Sequence, residues 1–313
     1  MTDFSNQTLL VTGAGGHLGR IAVEELLARG ATRVIAGTRD TAALSDLAAR
    51  GAELRVVDFD SDDLAAALAG VDRMLLVSTV AANRREHQSR AVAAAKAAGV
   101  RHIVYTSAPN ARPNESAGGI TDHYWTEVAI AASGLDFTLL RNHIYADTAI
   151  DAAAPALASG RMFDATGDRG RNYVTRADAA RTAAGALLTA DGQNILDVTG
   201  PAPVLLEEVA RLVADISGKP VQRIGVTGDQ LLEGLKAAGV PGFMAQLLVA
   251  FDLDAAAGDS YGDWLVGVGR SFGPIEAELH YTDTFSYGEA LSENLDDAGK
   301  ADGRLALQLT WGF

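Results

Sequence analysis

The chain of 313 residues contains no cysteine, which removes disulfides, thiolate metal sites and cysteine nucleophiles from consideration at once. It is also short of positive charge: 26 Lys and Arg stand against 40 Asp and Glu, for a formal net charge of −14. That balance argues against a nucleic-acid backbone or an anionic membrane surface as partner. No basic run extends beyond Arg84-Arg85. Long apolar runs are missing too, and no stretch approaches the roughly 18 residues of a membrane span. The first residues, Met-Thr-Asp-Phe-Ser-Asn-Gln, show neither a basic nor an apolar region, so a secretory signal is not expected and a cytoplasmic location is. The six histidines lack His-x-x-x-His spacing and no Gly-x-Ser-x-Gly elbow occurs, so neither metal-assisted nor serine hydrolysis finds support. Aromatics make up only 6%, yet 48% of the residues are hydrophobic, ample for a core of helices packed closely on a sheet.

What is present begins at residue 9. Leu-Leu-Val-Thr-Gly-Ala-Gly-Gly-His-Leu-Gly, residues 9–19, runs an apolar strand into a Gly-x-x-Gly-x-x-Gly turn and a helix with Leu18, Ile21, Ala22 and Leu26 on one face. Gly13, Gly16 and Gly19 fall where a nucleotide-binding βα turn needs a tight turn, close backbone approach to a pyrophosphate, and close helix packing. Phosphates would sit on the helix N-terminus, against residues Thr12, Gly13, Ala14, Gly15, Gly16, His17 and Leu18. Glycines also serve plain turns, but the position, at the first strand, favours a dinucleotide.

Strands are read at 8–12, 33–37, 54–58, 73–78, 102–106 and 136–141, and helices at 17–29, 41–50, 61–69, 84–98 and 122–133. Asp40-Thr41, Asp60-Ser61 and Thr121-Asp122 supply N-cap chemistry. This alternation predicts an α/β, Rossmann-type, doubly wound parallel sheet over residues 1–146. Residues 147–258 read as a smaller α/β lobe: helices at 148–158, 176–190, 204–216, 228–238 and 241–250, with short strands near 161–164, 195–198 and 221–225. Residues 259–313 change to period-two alternation, in Trp264–Phe272, Ile275–Phe285 and Arg304–Phe313, which predicts two or three antiparallel strands around an acidic stretch at Glu293–Asp302.

Ligands in such sheets bind beyond the carboxyl ends of the strands. The second strand ends Ala36-Gly37-Thr38-Arg39, with no carboxylate for ribose hydroxyls and with a guanidinium suited to a 2′-phosphate, so NADP(H) is expected over NAD(H). A solvent-facing arginine beside Asp40 is the plainer alternative. Asp58 ends the third strand, where it could meet the adenine amino group or cap the following helix. Ser78, Thr79 and Val80 end the fourth strand beside the expected nicotinamide ribose, and Tyr105-Thr106-Ser107 end the fifth. His123 and Glu127, four apart on one helix, could orient a substrate and move a proton, or form a surface ion pair. Arg141-Asn142-His143-Ile144-Tyr145 follow the sixth strand toward the crevice. Thr175-Arg176-Ala177-Asp178 open a helix, where Arg176 could close on a phosphate and Asp178 could complement the helix dipole.

Together these motifs resemble the NmrA-like atypical short-chain dehydrogenase/reductases, in the group with NADPH-dependent quinone oxidoreductases and triphenylmethane reductases. The resemblance covers about residues 5–255. It is carried by residues 12–19, Ala-Ala-Lys-Ala-Ala-Gly-Val at 94–100, Tyr-Thr-Ser at 105–107, His123 with Thr126-Glu127, and Leu-Leu-Arg-Asn at 139–142 with Tyr145. Ala-Thr-Gly at 165–167, Thr-Arg-Ala-Asp at 175–178 and Gly239-Val240-Pro241 extend it. Short-chain dehydrogenases usually carry Tyr-x-x-x-Lys where this chain has His123-Tyr124-Trp125-Thr126-Glu127, so their proton-donor mechanism does not transfer. The resemblance implies direct hydride transfer from NADPH to a quinone-like, carbonyl or dye-like acceptor, held by Asn142, Tyr145, His123 and Ser107. The protein would position the two and exclude water. His143 and Ile144 stand where the family often has glycine and tryptophan. The replaced Tyr and Lys leave a second class open, a non-catalytic NADP(H)-binding redox sensor. The tail departs from the family. Its Trp-Gly-Phe ending looks like the last strand of an outer-membrane barrel, but so few strands cannot close one, and a hairpin extension suited to a homodimer contact is expected instead.

Overall fold

Short apolar strands alternate with helices through the first half of the chain because each strand tip turns directly into a helix that must bury one face. A computed structural model describes residues 4–79, 81, 83–113, 118–257, 263–272, 275–284 and 304–311. It separates into two units, Met1–Ala256 and Ala257–Phe313. The first opens with β1 (Leu9–Val11), α1 (His17–Ala28), β2 (Val34–Thr38), a 3-10 turn at Ala42–Leu44, α2 (Ser45–Ala49), β3 (Glu53–Val56) and α3 (Leu64–Ala67). It continues with β4 (Arg73–Leu76), α4 (Arg84–Ala97), β5 (His102–Ser107), α5 (Gly118–Ser133) and β6 (Asp136–Asn142). Then come α6 (Asp147–Ser159), β7 (Arg161–Asp164), β8 (Arg171–Asn172), α7 (Arg176–Thr189), β9 (Gln193–Val198) and β10 (Pro203–Val204). The last elements are α8 (Leu206–Ser217), β11 (Gln222–Gly225), α9 (Gly228–Ala237) and α10 (Gly242–Ala257).

Seven strands form one parallel sheet in the order β3-β2-β1-β4-β5-β6-β9. The order reverses at β1, which pairs with β2 on one side and β4 on the other, so a crevice opens at its tip. Successive strand residues alternate between two cores. Leu9, Val11, Leu75, Val104 and Leu140 pack under α1 and α7, while Leu10, Ile35, Met74, Ile103 and Tyr105 pack under α3, α4 and α5. The expected Rossmann-type sheet is therefore present.

Three local expectations need correction. The sequence pattern assigns the strand at 195–198 to the lobe, but β9 joins the main sheet beside β6, and α7 packs against α1. A short apolar run does not reveal which sheet it enters. The buried Arg73 of β4 fixes the arrangement: its guanidinium donates to the C-terminal carbonyls of α7, at Leu187 (2.7 Å) and Ala190 (2.6 Å). Thr121 and Asp122 do not cap α5, which already begins at Gly118; Asp122 instead pairs with Arg84. The helix expected at 61–69 shrinks to α3, with Ser61 Oγ accepting from the Asp63 N–H as a turn.

Two two-stranded sheets complete this unit. β7 pairs in parallel with β11, and β8 antiparallel with β10. Two carboxylates with no exposed surface pin this part: Asp252 takes a bidentate fork from Arg171 (2.6 and 2.7 Å), and Asp164 accepts from Arg223 Nε (3.0 Å). Among the described residues no helix is long and apolar enough to cross a membrane. The second unit is a three-stranded antiparallel sheet of β12 (Asp263–Phe272), β13 (Ile275–Thr284) and β14 (Arg304–Trp311). The acidic stretch expected at Glu293–Asp302 lies outside the described residues.

Candidate active site

The glycine turn at the tip of β1 is held by its own backbone. Gly13 has φ +63°, and the Ala14 N–H donates to the Gly37 carbonyl of β2 (2.9 Å). A Cβ on Gly19 would run into the Gly13 carbonyl, so only glycine lets α1 approach this closely. α1 starts at His17 with an extended Gly16 before it and no side-chain cap. Its first-turn N–H groups have no partner within the helix and are left for an anion, backed by the dipole. The Thr12 hydroxyl donates to the Leu75 carbonyl (3.2 Å) and accepts from the Val77 N–H (3.0 Å), tying β1 to β4.

Around this turn, Arg39 lies exposed just past β2, and among the described residues its guanidinium has no hydrogen bond or ion pair. Asp58 accepts from the Asp60 N–H (3.1 Å), closing a turn ahead of α3 rather than capping that helix, and is partly exposed. Ser78 is fixed by Thr106, whose Oγ1 accepts from the Ser78 N–H (2.8 Å) and donates to Ser78 Oγ (3.2 Å). The Thr79 N–H donates to Gln88 Oε1 (3.2 Å), and Gln88 Nε2 donates to Thr126 Oγ1 (2.8 Å). Gln88, with no exposed surface, ties the β4 tip to α5 and escaped the sequence reading. The signal was there: it shares the inward stripe of α4 with Arg84, Ala91, Val92 and Ala95. Val80 lies outside the described residues.

The tips of β5 and β6 carry the second group of expected residues. Ser107 and Arg141 sit opposite each other in register. Glu127 of α5 reaches both: Ser107 Oγ donates to Oε1 (2.6 Å), and Arg141 donates to Oε1 and Oε2 (3.1 and 2.9 Å). All three are largely buried. His123, one turn earlier, does not meet Glu127. Its Nδ1 lies 2.8 Å from Tyr105 Oη, and burial, assisted by the Arg84 charge, holds its pKa well below 6.5. The Tyr105 phenol, wholly buried, is pushed above its usual range. The two residues therefore form an uncharged internal pair.

Asn142 and Tyr145 do come together: Asn142 Nδ2 donates to Tyr145 Oη (3.1 Å). Arg176 stands over the Tyr145 ring, 5.4 Å from its centre, and its Nη1 lies 3.0 Å from Asp147 Oδ1 and 3.2 Å from His17 Nδ1. A residue of the later helix thus touches the first residue of α1 and the acceptor-side tyrosine at once. The Thr175 hydroxyl accepts from the Asp178 N–H and donates to its carboxylate, which sets the helix start that presents Arg176. His143 turns inward, with Nε2 3.8 Å from Asp197 Oδ1, too far for a hydrogen bond; burial lowers its pKa to about 4.

A glycine turn opening onto an uncapped helix, at the point where a parallel sheet reverses its order, defines a dinucleotide-binding α/β protein. Comparison with known proteins refines this. The family model described as NAD(P)H-binding matches residues 13–190. Quinone oxidoreductase 2 of Escherichia coli is 35% identical over 260 residues, 82% of this chain and 90% of its own length. NAD(P)H azoreductase of Xenophilus azovorans is 26% identical over 245 residues, 77% of this chain and 84% of that one. Among solved structures, the Escherichia coli NADPH-dependent quinone oxidoreductase in complex with NADPH superposes with TM-score 0.74 at 32% identity, over 80% of this chain and 90% of that one. The Citrobacter sp. triphenylmethane reductase complexed with NADP(H) gives 0.69 at 28% identity, over 81% and 91%. The chain belongs to the NAD(P)H-binding family, within its NmrA-like atypical short-chain dehydrogenase/reductases, and is an NAD(P)H-dependent oxidoreductase.

Proposed function

We propose that the chain reduces quinone-like, carbonyl or dye-like small molecules with NADPH in preference to NADH. The observation that carries this is the Arg176 contact set, which joins the turn for the dinucleotide to Tyr145 and Asn142. The names of the relatives, reductases of quinones, azo compounds and triphenylmethane dyes, point to the same acceptors.

The residues fit the cofactor. The backbone of Gly13 to Leu18 would hold the pyrophosphate, and Arg39, whose neighbour Asp40 accepts from the Ala42 N–H, the 2′-phosphate. Ser78 and Thr79 would line the nicotinamide ribose, with Asp58 toward the adenine. When bound there, NADPH supplies a hydride from its nicotinamide ring. The protein's own part is to hold the acceptor between Asn142, Tyr145 and Ser107 and to keep water out. Glu127, itself paired with Arg141, fixes Ser107, and Arg141 would stand at the cofactor side of this pair.

One observation favours the sensor alternative: His123 and Glu127, at the positions where related dehydrogenases carry their acid, are bonded to partners inside the protein. The test is NADPH oxidation by the purified protein with quinones, carbonyls and cationic triarylmethane dyes, NADH being run in parallel. Acceptor-dependent turnover, faster with NADPH, is expected. Tight NADPH binding without turnover on any acceptor overturns the reductase reading in favour of the sensor.

A further inference from the structure

The acceptors in question differ in what they need besides a hydride. A quinone or carbonyl that gains a hydride is left one proton short of its product, whereas a triarylmethyl cation that gains one is complete. A site serving the first kind therefore needs a proton source. His123 is buried, uncharged and bonded to Tyr105. The Ser107 hydroxyl already gives its hydrogen to Glu127, so it offers only lone pairs to anything else.

Tyr145 differs from both. Its backbone is fixed: it bridges Val174, and the Thr148 hydroxyl donates to its carbonyl (2.7 Å). Tyr145 is partly exposed as a residue, and its Oη accepts from the well-buried Asn142, which leaves the phenolic hydrogen free for another acceptor. The charges facing it are Arg176 over the ring and Asp147, which Arg176 itself pairs. Burial raises the phenol, while the Asn142 N–H and the Arg176 charge favour the phenolate and Asp147 opposes it.

We propose that Tyr145 is the proton donor of this site, giving its Oη hydrogen to the oxygen of a quinone or carbonyl acceptor as that acceptor gains the hydride. The proposal rests on the reductase reading. The phenolic O–H breaks and the product O–H forms. The phenolate is held by the Asn142 N–H and Arg176 and recovers a proton from water. NADPH, the hydride source, is the only species oxidised, and the acceptor the only one reduced.

Tyr145→Phe removes one oxygen and keeps the ring that Arg176 covers. Two readouts test the assignment. Without cofactor, the affinity for 1,4-naphthoquinone should fall about 3- to 10-fold through the lost hydrogen bond, and that for a cationic triarylmethane dye by clearly less. With NADPH, the ratio of quinone to dye turnover should fall at least about 10-fold, toward the lower end of what a positioned acid contributes. The solvent deuterium effect on quinone turnover should shrink with it. Equal losses for quinone and dye, or no loss for either, overturn the assignment. If the wild type turns over neither acceptor, the reductase reading is lost on its own account. Unchanged naphthoquinone affinity in the variant then overturns the Tyr145 contact separately.

Discussion

The two halves of the strand-tip crevice are built on opposite plans. At β1 and β2 the groove is backbone: a glycine turn, an uncapped helix end, and an Arg39 side chain with no partner among the described residues. At β5 and β6 it is side chain: Ser107, Glu127 and Arg141 satisfy one another, as do His123 with Tyr105 and Gln88 with Thr79 and Thr126. A backbone groove suits a ligand shared by a whole family, because every chain has the same N–H groups. The side-chain end is where one chain can differ from its relatives, and each difference there must be balanced by a partner. The inverted charge at 127, Glu where related dehydrogenases have Lys, is matched by Arg141 from the neighbouring strand.

The contrast predicts unequal penalties. Glu127→Leu strands the Arg141 guanidinium, only 12% exposed, without its counter-charge. Breaking such a buried pair costs about 3–5 kcal/mol, whereas Arg39→Ala should stay within about 0.5 kcal/mol. Urea unfolding of the two variants measures both. Adding Arg141→Met to Glu127→Leu should recover most of the loss, since it removes the uncompensated charge. If Glu127→Leu is as mild as Arg39→Ala, the side-chain end is not the rigid half.

Acid should weaken the fold next, through two buried histidines. Burial holds His143 at about 4 and His102, at the base of the sheet and further depressed by Arg73, also at about 4, against 6.5 for a free imidazole. Both are neutral when folded and bind protons only on unfolding. The stability they protect is complete above about pH 6.5 and is lost as the pH falls toward 4. Between pH 7 and 5 each should cost about 2 kcal/mol. Urea midpoints at the two pH values, for wild type and for His143→Gln, measure this. A variant that loses as much as the wild type over that interval sinks the assignment for His143.

The same contrast decides what could be read from sequence. The cofactor half is local: strand, turn and helix lie within eleven consecutive residues, and the spacing Gly13, Gly16, Gly19 is itself the geometry. The acceptor half is not. Ser107 meets Glu127 across 20 residues, Arg141 meets Glu127 across 14, and Gln88 meets Thr126 across 38, through a sheet register that no periodicity displays. His123 and Glu127 share a helix face, which suggested a pair, but side chains of different reach took them to different strand residues. β9 was misplaced for the same reason, because its pairing with β6 is decided by tertiary packing. Thr12 shows the limit within the local half: its place in the motif was legible, while its use as a tie to β4 was not.

The last effect expected is also the most specific. Arg39→Asp leaves the glycine turn, the helix end and the acceptor half untouched, and replaces a cation at the β2 tip with the carboxylate that would instead suit a ribose hydroxyl pair. A charge-assisted contact to a 2′-phosphate contributes about 1.5–3 kcal/mol, so NADPH affinity should weaken roughly 10- to 100-fold. NADH affinity should hold or improve slightly, because it lacks the phosphate that the new carboxylate repels. Titration of both dinucleotides against the variant measures the two changes in one experiment. Equal losses for NADPH and NADH would mean that Arg39 supports the loop rather than reads the phosphate. The backbone half would then bind either dinucleotide without preference, and specificity would have to come from the side-chain half after all.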